Sequence, residues 1–136
     1  MMAKILIAED DENVRQFVAR ALSHAGHDVT EAEDGGLAAE IMQEQQGGFD
    51  LLLSDIKMPV MDGIALALHV GATYGHVKIV LMTGFAEQRE RAFGLEGLIY
   101  DVIAKPFSLA VLLEKVDDAL VGRPVEMVSL ARAVAR

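Results

Sequence analysis

Two short apolar runs that end in acidic residues are the feature that most constrains the fold of this chain. Residues 5–8 are all apolar and are followed directly by Glu9 and Asp10. Residues 51–53 are all leucine, and Asp55 comes two positions after them. Apolar runs this short suit strands that are covered on both faces of a sheet. The sequence therefore predicts buried parallel strands with carboxylates at their C-terminal ends.

Helical patterns alternate with the strand candidates. Helices are predicted within residues 14–25, 37–42, 64–71, 88–93 and 109–120, and further strands within residues 29–32, 78–83 and 102–104. In the amphipathic helices, apolar residues recur at intervals of three and four, and the inner faces include Phe17 and Leu68. The alternation predicts an α/β fold with a doubly wound five-stranded parallel sheet and helices on both faces.

The acidic composition narrows the choice of partners. The 136 residues carry a net charge of −9, so the surface repels nucleic-acid phosphates and no direct nucleic-acid binding is expected. No segment is long and apolar enough for a signal peptide or a membrane span. There is no cysteine for a disulfide or a reactive thiolate. The chain is therefore expected to be cytoplasmic, with no membrane partner.

The length of the chain suits one domain, which we predict over residues 1–121. The segment Gly122-Arg123-Pro124 is expected to end the last helix. Residues 122–136 then form a short basic tail with three arginines and one glutamate. The pattern leaves two structures open for this tail, an extra helix or a disordered segment.

Chemically distinct side chains stand at the ends of the predicted strands. Glu9 and Asp10 follow the first strand, and Asp55 follows the third. Thr83 closes the fourth strand, and Lys105 follows the fifth. Because the carboxyl ends of parallel strands meet at one edge of a sheet, these groups are expected to converge. Clustered carboxylates suit a hard cation such as Mg2+, and an aspartate nucleophile beside a hydroxyl and a lysine suits phosphoryl transfer.

The same residues carry a family resemblance. The motifs, in chain order, are Glu9-Asp10, Asp55, Met58-Pro59-Val60-Met61-Asp62-Gly63, Thr83-Gly84 and Lys105-Pro106-Phe107. They resemble the receiver domain of response regulators over about residues 3–121. The resemblance implies the flavodoxin-like fold of chemotaxis-type receivers and a switch in a two-component phosphorelay. Such a domain takes a phosphoryl group from a sensor histidine kinase or a histidine phosphotransferase and is not a turnover enzyme.

The resemblance implies roles for the metal-binding residues. Asp55 would be the phospho-acceptor and would also bind Mg2+. Asp10 would bind the ion directly, and Glu9 would bind it through water. The backbone carbonyl of Lys57 would complete the protein ligands.

The resemblance also implies a phosphoryl-binding set. Thr83 would hydrogen-bond one phosphoryl oxygen, and Lys105 would pair with another. Gly84 would leave space for the group, and Pro106 would follow a cis peptide bond.

The switch face implied by the resemblance includes Phe93, Tyr100 and Val102. Many relatives carry an aromatic residue three positions before the lysine, where this chain has Val102. Coupling is therefore expected through a smaller backbone shift or the preceding loop, and not through rotation of an aromatic ring. Phe85, beside the site, is expected to change the rate of phosphoryl hydrolysis.

Residues 5–11 and 82–86 are similar to the CpdR-like type of single-domain regulator. That similarity implies a stand-alone protein whose output is a protein contact, with ClpXP and regulated proteolysis as the candidate output. A phosphorelay carrier or phosphate sink without a separate output stays open as an alternative. An aspartate-nucleophile phosphatase is disfavoured, because such enzymes place a second aspartate where this chain has Lys57. A pseudo-receiver is disfavoured by the complete set of site residues.

Several polar residues have simpler structural explanations. Asp11, Asp34 and Ser108 suit helix N-caps, and Asp62-Gly63 suits the start of a helix. The four histidines lack the spacing of metal ligands, so surface positions are expected for them, His27 included.

Overall fold

The computed structural model describes residues 2–84, 92, 94, 95 and 97–122. The strands are β1 (Lys4–Ala8), β2 (Asp28–Ala32), β3 (Leu51–Asp55), β4 (Lys78–Thr83) and β5 (Asp101–Ala104). The described helices are α1 (Glu12–His24), α2 (Gly35–Glu44), α3 (Gly63–Thr73) and α4 (Leu109–Val121). Within these ranges no helix has the length and apolar character needed to cross a membrane. The helix predicted near residues 88–93 and the tail predicted over residues 122–136 fall almost wholly outside the described residues.

The strands form one parallel sheet in the order β2-β1-β3-β4-β5. This confirms the predicted class, a doubly wound parallel sheet with helices on both faces. The chain passes from β1 to β2 on one side and from β3 to β4 and β5 on the other, so the direction of winding reverses between β1 and β3. Ligands of open α/β sheets bind at such a reversal, beyond the carboxyl ends of the strands.

Alternate residues of the central strands face two separate hydrophobic cores. Ile5 and Ile7 pack in the core with residues of α1 and α4, whereas Leu6 and Ala8 pack with residues of α2 and α3. All four are completely buried, which is why the strand is an unbroken apolar run. Burying one isoleucine or leucine contributes about 1.5–3 kcal/mol, so the site stands on firmly packed strands.

Each described helix begins at a side-chain cap. In each cap a side-chain oxygen accepts a hydrogen bond from a backbone N–H group. The pairs are Asp11 with Asn13 (2.9 Å), Asp34 with Leu37 (2.7 Å), Asp62 with Ala65 (2.8 Å) and Ser108 with Val111 (3.1 Å). The caps at Asp11, Asp34 and Ser108 confirm the sequence prediction, and Asp62 lies at the helix start predicted for Asp62-Gly63. Replacing such a cap by alanine costs about 1 kcal/mol. The helix α4 ends at Gly122, whose φ of 74° is readily adopted by glycine.

The predictions that Leu68 and Phe17 face inward are wrong. Leu68 is 49% exposed, because the inner face of α3 is formed by other residues, namely Ile64, Leu66, Ala67 and Val70. Phe17 is 43% exposed and lies at the rim of α1, where its ring centroid is 6.4 Å from that of Phe107. The periodic pattern placed both residues on an apolar stripe that is wider than the face the sheet covers.

The surface position predicted for His27 is also wrong. This side chain is 8% exposed. Its Nδ1 lies 3.1 Å from the backbone N–H of Ala3 and accepts a hydrogen bond from it. The histidine therefore satisfies a buried backbone donor at the start of β1, which is a structural role.

Candidate functional site

The carboxyl end of β1 delivers two acids to the crevice. The β1–β2 ladder runs one residue past the strand, since the N–H of Glu9 donates to the carbonyl of Ala32 at 3.1 Å. Glu9 is therefore held as a continuation of the strand and is completely buried, whereas the next residue, Asp10, is exposed. One carboxylate thus lies inside the crevice and the other at its opening.

The acid at the end of β3 is fixed by its neighbours. Asp55 is 7% exposed, and its Oδ1 accepts a hydrogen bond from the N–H of Ile56 at 2.9 Å. Its carbonyl accepts a second hydrogen bond, from Oγ of Ser54 at 2.8 Å. A Cβ on Gly63 would lie 2.1 Å from the same carbonyl oxygen. Glycine is therefore required sterically where α3 begins, and the backbone of Asp55 has little room to move.

Lys105 brings a positive charge between the two buried carboxylates. Its Nζ lies 2.7 Å from Oε1 of Glu9 and 3.2 Å from Oδ2 of Asp55. The backbone N–H of Lys105 donates to the carbonyl of the buried Thr83 at 2.8 Å, and this bond extends the β4–β5 ladder. The peptide between Lys105 and Pro106 is cis, as the resemblance implied.

Burial and charge set the protonation of this cluster. Burial raises the pKa of Glu9 from 4.5 to about 7. The hydrogen bond from Lys105 opposes this shift, whereas the charge of Asp55 adds to it. For Lys105, burial alone would lower the pKa, but the hydrogen bond to Glu9 and the charge of Asp55 hold it above the usual 10.5. Lys105 is therefore charged at neutral pH, and this single ammonium offsets only part of the negative charge around it.

Three carboxylates meet closely enough to share one cation. Ligand oxygens of Glu9, Asp10 and Asp55 all lie within 4.8 Å of one another. Carboxylate oxygens are hard donors that suit Mg2+, which takes one or two of them and keeps several waters. Burial raises the pKa of Glu9, and the nearby charge of Asp55 adds to this effect, so a cation bound here would favour the ionised carboxylate. The residues present therefore fit a magnesium ion.

A cavity of about 360 Å³ opens over these carboxylates. It is lined by Glu9, Asp10, Asp11, Asp55, Lys57, Gly84 and Lys105. Lys57 is exposed at its rim, and among the described residues a Cβ on Gly84 would meet only the Cβ of Lys105, 4.0 Å away. A water molecule occupies about 30 Å³ in the liquid. The cavity is many times larger, so it has room for a phosphoryl group above Asp55.

The predicted switch residues do not share one environment. Val102 is 3% exposed and lies in the core shared by α2 and α3. Tyr100 is partly buried against the opposite core, shared by α1 and α4. Phe93 and Phe85 lie outside the described residues. Because Val102 is buried, it can affect the protein surface near β5 only through the residues that pack against it.

Sequence reasoning missed two features beside the cavity. Arg15 on α1 donates from Nη1 to the carbonyl of Glu9 at 2.8 Å. An apolar groove of about 420 Å³ is lined by Asn13, Val14, Phe17, Lys105, Pro106 and Phe107, so it shares Lys105 with the cavity. Both features depend on how α1 packs against the strand ends, and no local motif signals that packing.

The parallel sheet with an acidic cavity at its carboxyl edge is the arrangement of a receiver domain of two-component signalling. The family model of the response regulator receiver domain matches residues 5–117, and this chain belongs to that family. Receiver domains are regulatory phospho-acceptors that take phosphoryl groups from histidine kinases and bind Mg2+ at an acidic pocket.

Individual relatives are similar along almost the whole chain. The response regulator receiver protein CpdR of Brucella abortus (strain 2308) is 39% identical over 121 residues, 89% of this chain and 99% of CpdR. The sensor kinase CckA of the same organism is 36% identical over 118 residues, 87% of this chain but 12% of CckA. Among solved structures, the chemotaxis response regulator CheY4 of Vibrio cholerae has a TM-score of 0.75 at 30% identity, covering 88% of this chain and 100% of CheY4.

Proposed function

We propose that this chain is a cytoplasmic single-domain response regulator that is phosphorylated on Asp55 with the help of Mg2+ and changes its protein contacts as a result. One observation carries the proposal: Nζ of Lys105 lies within 3.2 Å of Asp55 in an open cavity whose acids fit a divalent cation. A nucleophilic carboxylate, a cation site and a lysine are the parts that phosphoryl transfer needs. The match to 99% of the CpdR relative supports a single-domain organisation over residues 1–121 with a short tail.

The proposed reaction moves a phosphoryl group from a phosphohistidine to Asp55. One carboxylate oxygen of Asp55 attacks phosphorus and forms an O–P bond. The N–P bond of the phosphohistidine breaks, and its electron pair returns to the imidazole nitrogen. The ammonium of Lys105 would pair with one phosphoryl oxygen, and the hydroxyl of Thr83 would donate to another, above the open space at Gly84.

The acidic cluster is proposed to hold the metal ion during this step. Asp10 and Asp55 would bind Mg2+ directly, Glu9 would bind it through water, and the backbone carbonyl of Lys57 would complete the protein ligands. When bound, Mg2+ supplies positive charge to the carboxylates and the phosphoryl oxygens.

The phosphohistidine donor, a sensor histidine kinase or a histidine phosphotransferase, is proposed to dock on the apolar groove. Phe17 is 43% exposed and its ring centroid lies 6.4 Å from that of the partly buried Phe107, and exposed aromatic side chains are typical anchors of protein interfaces. Because the groove and the cavity share Lys105, a donor that fills the groove brings its histidine close to Asp55.

The output is proposed to be a protein contact, and regulated proteolysis with ClpXP is the candidate pathway. The 39% identity to CpdR along nearly its full length supports this pathway. The switch face would include Tyr100 and Phe93, with Val102 acting from the core. A carrier or phosphate sink would instead return its phosphoryl group to a histidine phosphotransferase, so reverse transfer without a phosphorylation-dependent partner would favour that alternative.

Intact-mass analysis after incubation with acetyl phosphate tests the proposal. Wild type is expected to gain one phosphoryl group only when Mg2+ is present, and Asp55→Ala is expected to gain none. Asp28→Asn is the matched control, because it changes an exposed acid at the opposite edge of the sheet, and it should behave like wild type. A folded wild type that gains no adduct, or an adduct that persists in Asp55→Ala, would contradict the proposal.

A further inference from the structure

Arg15 links the first turns of α1 to the ends of two strands. Its Nη1 donates to the carbonyl oxygen of Glu9 at 2.8 Å, and its Nε lies 3.3 Å from Oε1 of Glu31 on β2. The Arg15 side chain is 16% exposed, whereas that of Glu31 is 44% exposed. The guanidinium is thus held mainly against the backbone at the end of β1.

This contact completes the hydrogen bonding of the Glu9 backbone. The N–H of Glu9 is bound by Ala32 at 3.1 Å, and its carbonyl is bound by Arg15. The carbonyl of Glu9 and the N–H of Asp10 belong to one planar peptide unit. Fixing the carbonyl therefore fixes the direction in which the chain enters Asp10, whose side chain is exposed at the mouth of the cavity.

We propose that Arg15 is a positioning residue for the metal site, because it orients the peptide that joins Glu9 and Asp10. This inference rests on the proposed function. Partners that orient metal ligands without touching the ion typically contribute about 10–100-fold to metal affinity. Arginine suits the role because its guanidinium donates a hydrogen bond to the carbonyl of Glu9 while it forms an ion pair with the carboxylate of Glu31.

Glu31 provides a control for the two contacts. The Glu31 side of its ion pair with Arg15 is 44% exposed, and an ion pair that is open to solvent on one side is weakened by water and salt. Glu31→Gln removes the charge of this partner but leaves Arg15 beside the carbonyl of Glu9. A second control, Arg20→Met, removes an exposed arginine from the same helix without touching the strand ends.

The test measures Mg2+ binding and phosphorylation separately. The Mg2+ dissociation constant is obtained by calorimetry, and the initial rate with acetyl phosphate is measured as a function of Mg2+ concentration. Arg15→Met is expected to raise the Mg2+ dissociation constant about tenfold, while saturating Mg2+ restores the wild-type rate. Arg15→Lys should fall between Arg15→Met and wild type, and Glu31→Gln and Arg20→Met should stay within about twofold of wild type.

The possible results separate this inference from the proposed function. If wild type binds Mg2+ but Arg15→Met binds it equally well, only the role of Arg15 is overturned. A rate that saturating Mg2+ does not restore would also overturn it, because general structural damage would then explain the loss. If Arg15→Met does not fold, Arg15→Lys and Arg15→Gln take its place and must show weakened Mg2+ binding. If wild type itself binds no Mg2+, both the proposed function and this inference fail.

Discussion

The side chains of Lys105 and Glu9 meet at 2.7 Å between Nζ and Oε1. Nζ lies farther from Asp55, at 3.2 Å from its Oδ2. The positive charge of Lys105 is therefore shared between Asp55 and a second, completely buried carboxylate, that of Glu9.

Removing the positive charge of Lys105 should destabilise the protein when no divalent cation is bound. Lys105→Met leaves the carboxylates of Glu9 and Asp55 without their ion pair, and a buried group that loses its partner costs about 1–3 kcal/mol. Urea denaturation in EDTA should show a loss of this size. Lys78→Met, which removes an exposed lysine at the opposite edge of the sheet, should change the unfolding free energy by less than about 0.5 kcal/mol. Equal losses in the two variants would contradict the account.

The stability of the metal-free protein should also depend on pH through Glu9. Because the pKa of Glu9 is raised by burial from 4.5 to about 7, the folded protein binds this proton more tightly than the unfolded chain does. The resulting stabilisation is fully present below the unfolded pKa and is lost as pH rises through the folded pKa.

Glu9→Gln keeps the side chain neutral at every pH and so isolates this effect. In EDTA its thermal stability should rise relative to wild type between about pH 5 and pH 8. For wild type, Mg2+ should reduce the loss of stability at the upper end of this range, because the ion favours the ionised carboxylate. A difference between variant and wild type that stays constant over the range would show that Glu9 does not titrate as described.

Gly63 should tolerate no side chain. A Cβ there would lie 2.1 Å from the carbonyl oxygen of Asp55, so Gly63→Ala must shift the end of β3 or the start of α3. The expected cost is about 1–3 kcal/mol in urea denaturation, together with slower phosphorylation by acetyl phosphate. Gly75→Ala is the matched control, since a Cβ on Gly75 meets nothing within 4 Å. Equal stability of the two variants would rule out the steric role of Gly63.

The rate of phosphoryl transfer should depend on the apolar groove when the donor is a protein, and not when it is acetyl phosphate. Phe17→Ala should slow transfer from a phosphorylated histidine kinase or phosphotransferase about tenfold, the effect of losing one strong interface contact. The rate with acetyl phosphate should stay within about twofold of wild type, because that donor does not need the groove. Leu68→Ala, which truncates a similarly exposed residue on α3, should change neither rate. Equal slowing with both donors would argue against docking on the groove.

The fold could be predicted because the strands are short, apolar and separated by amphipathic helices. Residues 5–8 are covered on both faces of the sheet, so their pattern left little choice but a buried parallel strand. The meeting of Glu9, Asp55 and Lys105 also followed from the sequence, since carboxyl ends of parallel strands share one edge whatever the strand order. The cis peptide before Pro106 was implied by the family resemblance alone.

Other features could not be predicted because they depend on how elements rotate and pack. Leu68 lies on an apolar stripe of α3 that the sheet only partly covers, so its exposure is decided by the helix orientation. Gly63 was expected only to begin a helix, yet its contact with the carbonyl of Asp55 is what requires glycine. The bond from Arg15 to the carbonyl of Glu9 needs the turn between β1 and α1 to be in place before it can be recognised.

Locating the phosphoryl group on the chain tests the central claim most directly. Reduction of an acyl phosphate with borohydride converts the modified aspartate to homoserine, which peptide mass mapping can assign to one position. After incubation with acetyl phosphate and Mg2+, homoserine is expected at position 55 and nowhere else, and it should be missing when EDTA is present. Homoserine in place of Asp10 or another acid, or equal modification of Asp55 without Mg2+, would contradict the site described above.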